Sequence, residues 1–378
     1  MKLKRSVGEI MRLVPIQLCR PGMRLGKKVF NEEGLVLLAE HVELSQRMIE
    51  RLAQYGIAHL YIEDSRTDDI VANDPLRDET RREALGTIRT QFKKVMLDSA
   101  PRYSVGHSFI GKAFKEALTL IIDDLSQNPN AMIMLTDISV ADDYLYRHSL
   151  NVCIYATMLG LSDGYSRSDL TMLGLGALLH DIGKTKIRMD VLRKPGRLLE
   201  EEFEEMKKHA EFGFKLLKDE PNIPLLSAHC ALQHHERMDG SGYPRGIVGA
   251  DIHDFSKWIG LVDSYDAMTS TRVYRKAMLP HQAMEQLYAG ADTLYEKSKV
   301  EHFRDKVAIY PLGVTVTLNT GETGVVVDVN GQFPQRPVVR ILEDADGQTI
   351  RQPYELDLSK QLSLIVVGVG DVKLTNVI

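Results

Sequence analysis

Cysteine is scarce in this chain. Cys19, Cys153 and Cys230 are odd in number and far apart, so neither a disulfide framework nor a thiolate zinc ribbon is supported. Basic charge is also lacking: the formal net charge is −5, and no general nucleic-acid-binding surface is expected. No apolar run approaches the ~18 residues of a membrane-spanning helix. The stretch "MKLKRSVGEIMRLVP" has no uninterrupted apolar core of the signal-peptide kind, so the expectation is a cytoplasmic protein without membrane insertion. There is no internal repeat and no low-complexity tract. What remains is 378 residues, 44% hydrophobic and 26% charged, which suits a soluble protein of two or three domains.

Four regions differ in texture. Residues 1–65 mix strand and helix signals: "VFNEEGLVLLAE" reads as a hairpin around Gly34, "ELSQRMIERLAQYG" as a helix between Ser45 and Gly56, and "IAHLYIE" as a returning strand. Residues 66–105 read as a charged linker leading into an amphipathic helix. Helical periodicity dominates 106–305. From 306 to 378 short β-branched runs such as "GVTVTLNTGETGVVVDVN" predict a small barrel-like β module. The expected fold is therefore multidomain, with a central all-α bundle, a small α+β N-terminal domain and a small all-β C-terminal module.

The stretch "LLHDIGKT", 178–185, admits two chemistries. A phosphate loop needs a glycine five residues before Gly183, where Leu178 stands. It should also open a helix, whereas Leu170, Leu173, Ala177, Leu178 and Asp181 recur at helical spacing and Gly183 is a plausible stop. The phosphate-loop reading fails. An aspartate on a buried helical stripe beside His180 is left, and an ionised carboxylate there is costly unless paired or bound to a metal.

Other helical segments repeat that situation. His148 shares a face with Leu145, Val152, Tyr155 and Leu159. His209 lies beside Phe203, Met206, Ala210 and Gly213. His234 and His235 end "LLSAHCALQHHE", and Asp263 follows Val262 in "SKWIGLVDSYDAM". Buried polar groups need partners, and so many inward imidazoles and carboxylates together favour a metal site. Five imidazoles and two carboxylates exceed the needs of one open ion. They fit two divalent ions sharing a carboxylate. Mixed nitrogen and oxygen ligation suits iron or manganese, with zinc, nickel or cobalt as other occupants. "HERMD" is a decoy for a zinc-protease motif, because Asp239 stands where its second histidine belongs.

The order His180-Asp181 with Gly183-Lys184, "KPGRLLEEEFEEMKKH", "HHERMDGSGYPRG" and "VDSYDAMTSTRVYR" closely resembles the HD-GYP subgroup of the HD phosphohydrolase superfamily, from about Tyr144 to about Arg275. The resemblance implies an HD-type helical bundle that hydrolyses cyclic di-GMP; linear pGpG is the expected product, with GMP left open as a further one. It implies that His148, His180, Asp181 and Asp263 hold one ion, and that Asp181, His209, His234 and His235 hold the other. Lys184 would touch the scissile phosphate, and Arg272 and Arg275 would contact phosphates or bases. Tyr243 either meets the ligand or closes a turn with Gly242 and Pro244. Some members bind a third ion through a glutamate where this chain has Tyr144, so two ions are expected. Val273 stands where proline is common. Alternatives are a cyclic di-GMP sensor with little turnover and a hydrolase of another cyclic dinucleotide. A homodimer is compatible with either; the regulatory partner is unspecified.

Overall fold

The computed structural model describes residues 12–30, 36–55, 57, 59–64, 66–67, 76–97, 110–127, 144–194, 196–270, 278–331, 333–370 and 372–373. The chain divides into two compact units. One comprises Met1–Asp74, Met134–Asp142 and Arg304–Ile378; the other comprises Pro75–Ile133 and Asp143–Phe303.

In the first unit, β1 (Arg12–Pro15) pairs antiparallel with β4 (His59–Ile62), and β2 (Val29–Phe30) pairs with β3 (Val36–Leu38). The helix α1 (Gln46–Gln54) is opened by Ser45, whose hydroxyl accepts the Met48 N–H at 3.3 Å, satisfying one of the free donors of the first turn. Leu25, Val29, Leu44 and Leu60 form the centre of its core. Gly34 and Gly56 lie outside the described residues. The remaining strands are β5 (Thr315–Leu318), β6 (Thr323–Asp328), β7 (Val338–Glu343), β8 (Thr349–Asp357), β9 (Val366–Val369) and β10 (Val372–Lys373). They form one antiparallel sheet in the order β10-β9-β5-β6-β7-β8.

The sequence separates the two flanks into different modules, yet they share this unit. The Leu13 N–H donates to the Gly313 carbonyl at 2.8 Å. Arg12 Nε donates to Thr315 Oγ1 at 3.0 Å, and Arg340 to the Arg66 carbonyl at 2.9 Å.

The second unit is helical: α2 (Asp78–Leu97), α3 (Ile110–Gln127), α4 (Tyr144–Ser162), α5 (Arg167–Leu179), α6 (Met189–Leu192), α7 (Glu200–Lys207), α8 (His209–Leu217), α9 (Leu225–Gln233), α10 (Asp254–Thr269), α11 (Pro280–Ala289) and α12 (Lys297–Arg304). The amphipathic helix expected at the end of the linker is α2. It is part of this unit because Ala84, Ile88 and Phe92, four residues apart, form a buried stripe. Phe92 meets Phe114 of α3 and Tyr146 of α4 edge-on, at 6.2 and 5.8 Å between ring centres. Asp124 of α3 accepts the Arg77 N–H at 3.1 Å and its Nε–H at 2.8 Å, fixing the approach to α2. The helices α4, α5, α9 and α10 pack around the buried Leu159, Leu173, Ala231 and Ile259.

Candidate metal centre

Each histidine reaches the centre of the helical unit by a different local device. His148 lies on α4 and is 1% exposed. The helix α5 ends at Leu179, one turn earlier than the expected stop at Gly183. His180 terminates it, and Asp181 leads into a 3-10 turn, Ile182–Lys186, closed by the Lys184 N–H on the Asp181 carbonyl at 2.9 Å. Asp181 therefore sits at a junction rather than on a helical stripe. The single helix expected around His209 is likewise broken. It stops at Lys207 and restarts at His209, whose ring Nδ1 bonds the Met206 carbonyl at 2.7 Å. His234 ends α9, His235 follows it, and Asp263 lies within α10.

These seven residues fall into two groups able to hold an ion: His148, His180 and Asp263, and Asp181, His209, His234 and His235. Asp181 faces both. Its Oδ2 lies 3.6 Å from His148 Nε2 and 3.4 Å from His180 Nε2, while its Oδ1 lies 3.5 Å from His209 Nε2 and 3.9 Å from His234 Nε2. Asp263 Oδ1 is 3.0 Å from His148 Nε2, and its Oδ2 is 3.9 Å from His235 Nδ1.

The hydrogen bonds determine what these rings offer. His180 Nδ1 meets the Ala177 carbonyl at 2.7 Å, and His234 Nδ1 meets the Ala231 carbonyl at 3.0 Å. A carbonyl only accepts, so a proton belongs on Nδ1, as it does in His209, and Nε2 of each ring is turned inward, where the neutral form presents a lone pair. His209 Nε2 and His234 Nε2 are 3.3 Å apart. Among the described residues His180 Nε2 and Asp181 Oδ1 are buried without a hydrogen-bond partner. Converging lone pairs and a buried carboxylate oxygen fit a cation and little else.

Electrostatics agree at three of the imidazoles. Burial lowers His209 to about 4 and, with neighbouring imidazoles, holds His234 and His235 well below the ordinary value, keeping them in the neutral form that ligates. Burial alone would raise Asp181, but Lys184 and His180 hold it well below the carboxylate range. Burial also opposes the charge on His148, yet Asp263 and Asp266 push it up to about 9.

Lys184 Nζ lies 2.6 Å from Asp181 Oδ2, with its side chain one-fifth exposed. The Tyr243 ring stacks on His235, 4.6 Å away and inclined by 28°. Gly242 is needed beneath it, since a β-carbon there would overlap the His235 carbonyl. The turn thus packs against the ligand backbone and turns an aromatic ring onto the site. Arg272 and Arg275 lie outside the described residues.

Three residues escape the sequence reading. Asp266 accepts from His148 Nδ1 at 2.7 Å and from Asn151 Nδ2 at 2.9 Å. The buried Glu236 accepts the Arg245 and Ile247 N–H groups at 2.9 and 3.1 Å, anchoring the loop that carries Tyr243. Asp266 could have been found, because it stands three residues after Asp263 on the same helix face. Asn151 and Glu236 carry no comparable signal.

Residues 122–298 match the family described as HD domain, and residues 315–375 match a KOW domain associated with HD domain. The matched HD region, 122–298, includes all seven of the gathered residues. A Pseudomonas aeruginosa protein named cyclic di-GMP phosphodiesterase PA4108 is 32% identical over 64% of this chain and 59% of its own length. The Xanthomonas campestris cyclic di-GMP phosphodiesterase response regulator RpfG is 38% identical over 42% of this chain and 41% of its own. A Vibrio cholerae protein named 3'3'-cGAMP-specific phosphodiesterase 2 is 32% identical over 43% of this chain and 32% of its own. The chain spans 59%, 41% and 32% of the lengths of these relatives. No described helix is long and apolar enough to cross a membrane.

Proposed function

We propose that this protein is a metal-dependent phosphodiesterase that hydrolyses cyclic di-GMP. The observation that carries the reading is Asp181, buried, with one oxygen turned to each group of imidazoles. Two divalent ions are assigned, iron or manganese from the mixed nitrogen and oxygen donors. His148, His180, Asp181 and Asp263 would hold one; Asp181, His209, His234 and His235 would hold the other. When bound, such a pair supplies an acidified water and positive charge against the phosphoryl oxygens.

The chain's own residues do the rest. Three imidazoles have their Nδ1 protons committed to backbone carbonyls, which leaves Nε2 of each ring turned inward to ligate. Lys184, partly exposed beside Asp181, offers its ammonium to the phosphate, where charge grows in the transition state. Tyr243 gives the site an aromatic wall for a base or ribose face. Water adds to phosphorus, the bond to the ribose oxygen breaks, and that oxygen takes up a proton. One such event opens the ring to linear pGpG, and a second gives GMP. Arg272 and Arg275 are assigned to substrate phosphates or bases, and the protein is taken as cytoplasmic.

A second substrate is favoured by the relative named for 3'3'-cGAMP: the metal groups would serve either cyclic dinucleotide. Anaerobically purified protein loaded with manganese or iron, given each dinucleotide and followed by chromatography, tests both. Linear pGpG is the expected product. Metal-loaded protein that leaves cyclic di-GMP intact would overturn the primary reading, and faster cleavage of the mixed dinucleotide would establish the second.

A further inference from the structure

His180, His209 and His234 are oriented by carbonyls three residues earlier in their own segments: Ala177, Met206 and Ala231. His148 is different. Its Nδ1 is held by a carboxylate from another helix, Asp266 of α10, at 2.7 Å. The second oxygen of Asp266 accepts from Asn151 Nδ2 at 2.9 Å, and Asn151 stands one turn after His148 on α4. Asp266 is 2% exposed and Asn151 is 6% exposed. With both oxygens engaged behind the ring, Asp266 belongs to neither group of gathered residues. Asp263, three residues earlier on α10, faces the opposite ring nitrogen, His148 Nε2, at 3.0 Å. One helix thus grips both nitrogens of one imidazole.

We infer that Asp266, held in place by Asn151, is a positioning residue that orients His148 and supports cation binding selectively at the group of His148, His180 and Asp263. An ionised carboxylate accepting from Nδ1–H makes Nε2 a stronger donor than a carbonyl does, and it fixes the ring plane. In the other group, among the described residues, His209 and His234 have their Nδ1 on local backbone carbonyls, and His235 is stacked by Tyr243. The two groups are therefore unequal, and the Asp266 side is adjustable from outside the ligand set.

The inference rests on the two-ion reading, and the test separates the two. Full-length protein stripped with chelator is titrated with manganese by calorimetry, and bound metal is counted by elemental analysis. Wild type is expected to bind two ions. Asp266→Ala keeps one at wild-type affinity and binds the other ~10–100-fold more weakly; Asp266→Asn and Asn151→Ala show the same selective loss in smaller degree. In a His148→Ala background, Asp266→Ala adds no further loss, because its effect passes through that ring. Should Asp266→Ala fail to fold by circular dichroism, the two milder variants carry the test. Folded Asp266→Asn and Asn151→Ala that bind both ions as wild type does, or that weaken both equally, would overturn the inference. A wild type that never takes up two ions would overturn the two-ion reading, and this inference with it.

Discussion

Gly183 rests on the main chain of His209 so closely that a β-carbon would overlap the His209 carbonyl oxygen. The turn after Asp181 and the start of α8 can meet only because that position has no side chain. This contact joins a carboxylate of one segment to an imidazole of the next.

Gly183→Ala should therefore push the turn and α8 apart. Overpacking of this kind costs about 1–3 kcal/mol, and the Asp181–His209 group should lose metal along with thermal stability. Gly86 of α2 is the contrast: a β-carbon there meets nothing within 4 Å, so Gly86→Ala should raise stability by about 0.5–1 kcal/mol. Paired melting curves and metal counts check both expectations.

Asp181→Ala and Lys184→Ala should separate two kinds of loss. The first removes the carboxylate facing both groups, so metal content and turnover fall together. The second leaves the ions and removes a positive charge, lowering turnover by ~10²–10³, or about 2–4 kcal/mol. Bound metal and cyclic di-GMP turnover, measured on the same preparations, distinguish them; full activity in Asp181→Ala would end the metal reading.

Acid should loosen α2. Burial tends to raise Asp124, but its hydrogen bonds to Arg77 and Thr80 bring it below the ordinary value of 3.8. A carboxyl depressed in the folded state stabilises above its unfolded pKa, and that stability is lost as pH falls through the folded value. Asp124→Asn should lower the denaturation midpoint at neutral pH, and the difference should shrink below pH 3.8. A difference independent of pH would remove the ionic contribution from this contact.

The extent of the helical unit can be tested by cutting. A fragment spanning 75–303 contains α2 and the partners of Phe92, whereas one beginning at 106 exposes Phe114 and Asp124, which α2 covers. The longer fragment should unfold cooperatively and bind metal. The shorter should melt at lower temperature or aggregate, as scanning calorimetry would record.

The seven gathered residues were legible as inward positions because helical periodicity marks which positions turn inward, and histidines or aspartates on such stripes violate the pattern. His148 and Asp263 stand on helices as the spacing suggests. Asp181 and His209 do not: a 3-10 turn and a helix break place them, and both depend on the contact between Gly183 and the His209 carbonyl, which joins residues 26 apart in "HDIGKT" and "KKHAEFG". Asp266 and Asn151 act through rings rather than on a cation, so a search for ligands passes over them. The union of the two flanks was beyond local reading, since Arg12 and Thr315 are 303 positions apart, and neither segment carries a mark of its partner.

That union fixes an order of manufacture. The helical unit interrupts the first unit, whose segments are Met1–Asp74, Met134–Asp142 and Arg304–Ile378. When a ribosome has released residue 303, every strand of the first unit after β4 is still unmade, and Arg12 and Leu13 of β1 still lack Thr315 and Gly313. Domains fold as they emerge, so the unit begun first is completed last. A chain truncated after 303 should therefore carry a protease-resistant helical body on an amino-terminal segment whose Arg12 and Leu13 lack their partners Thr315 and Gly313, and limited proteolysis should cut it first near β1.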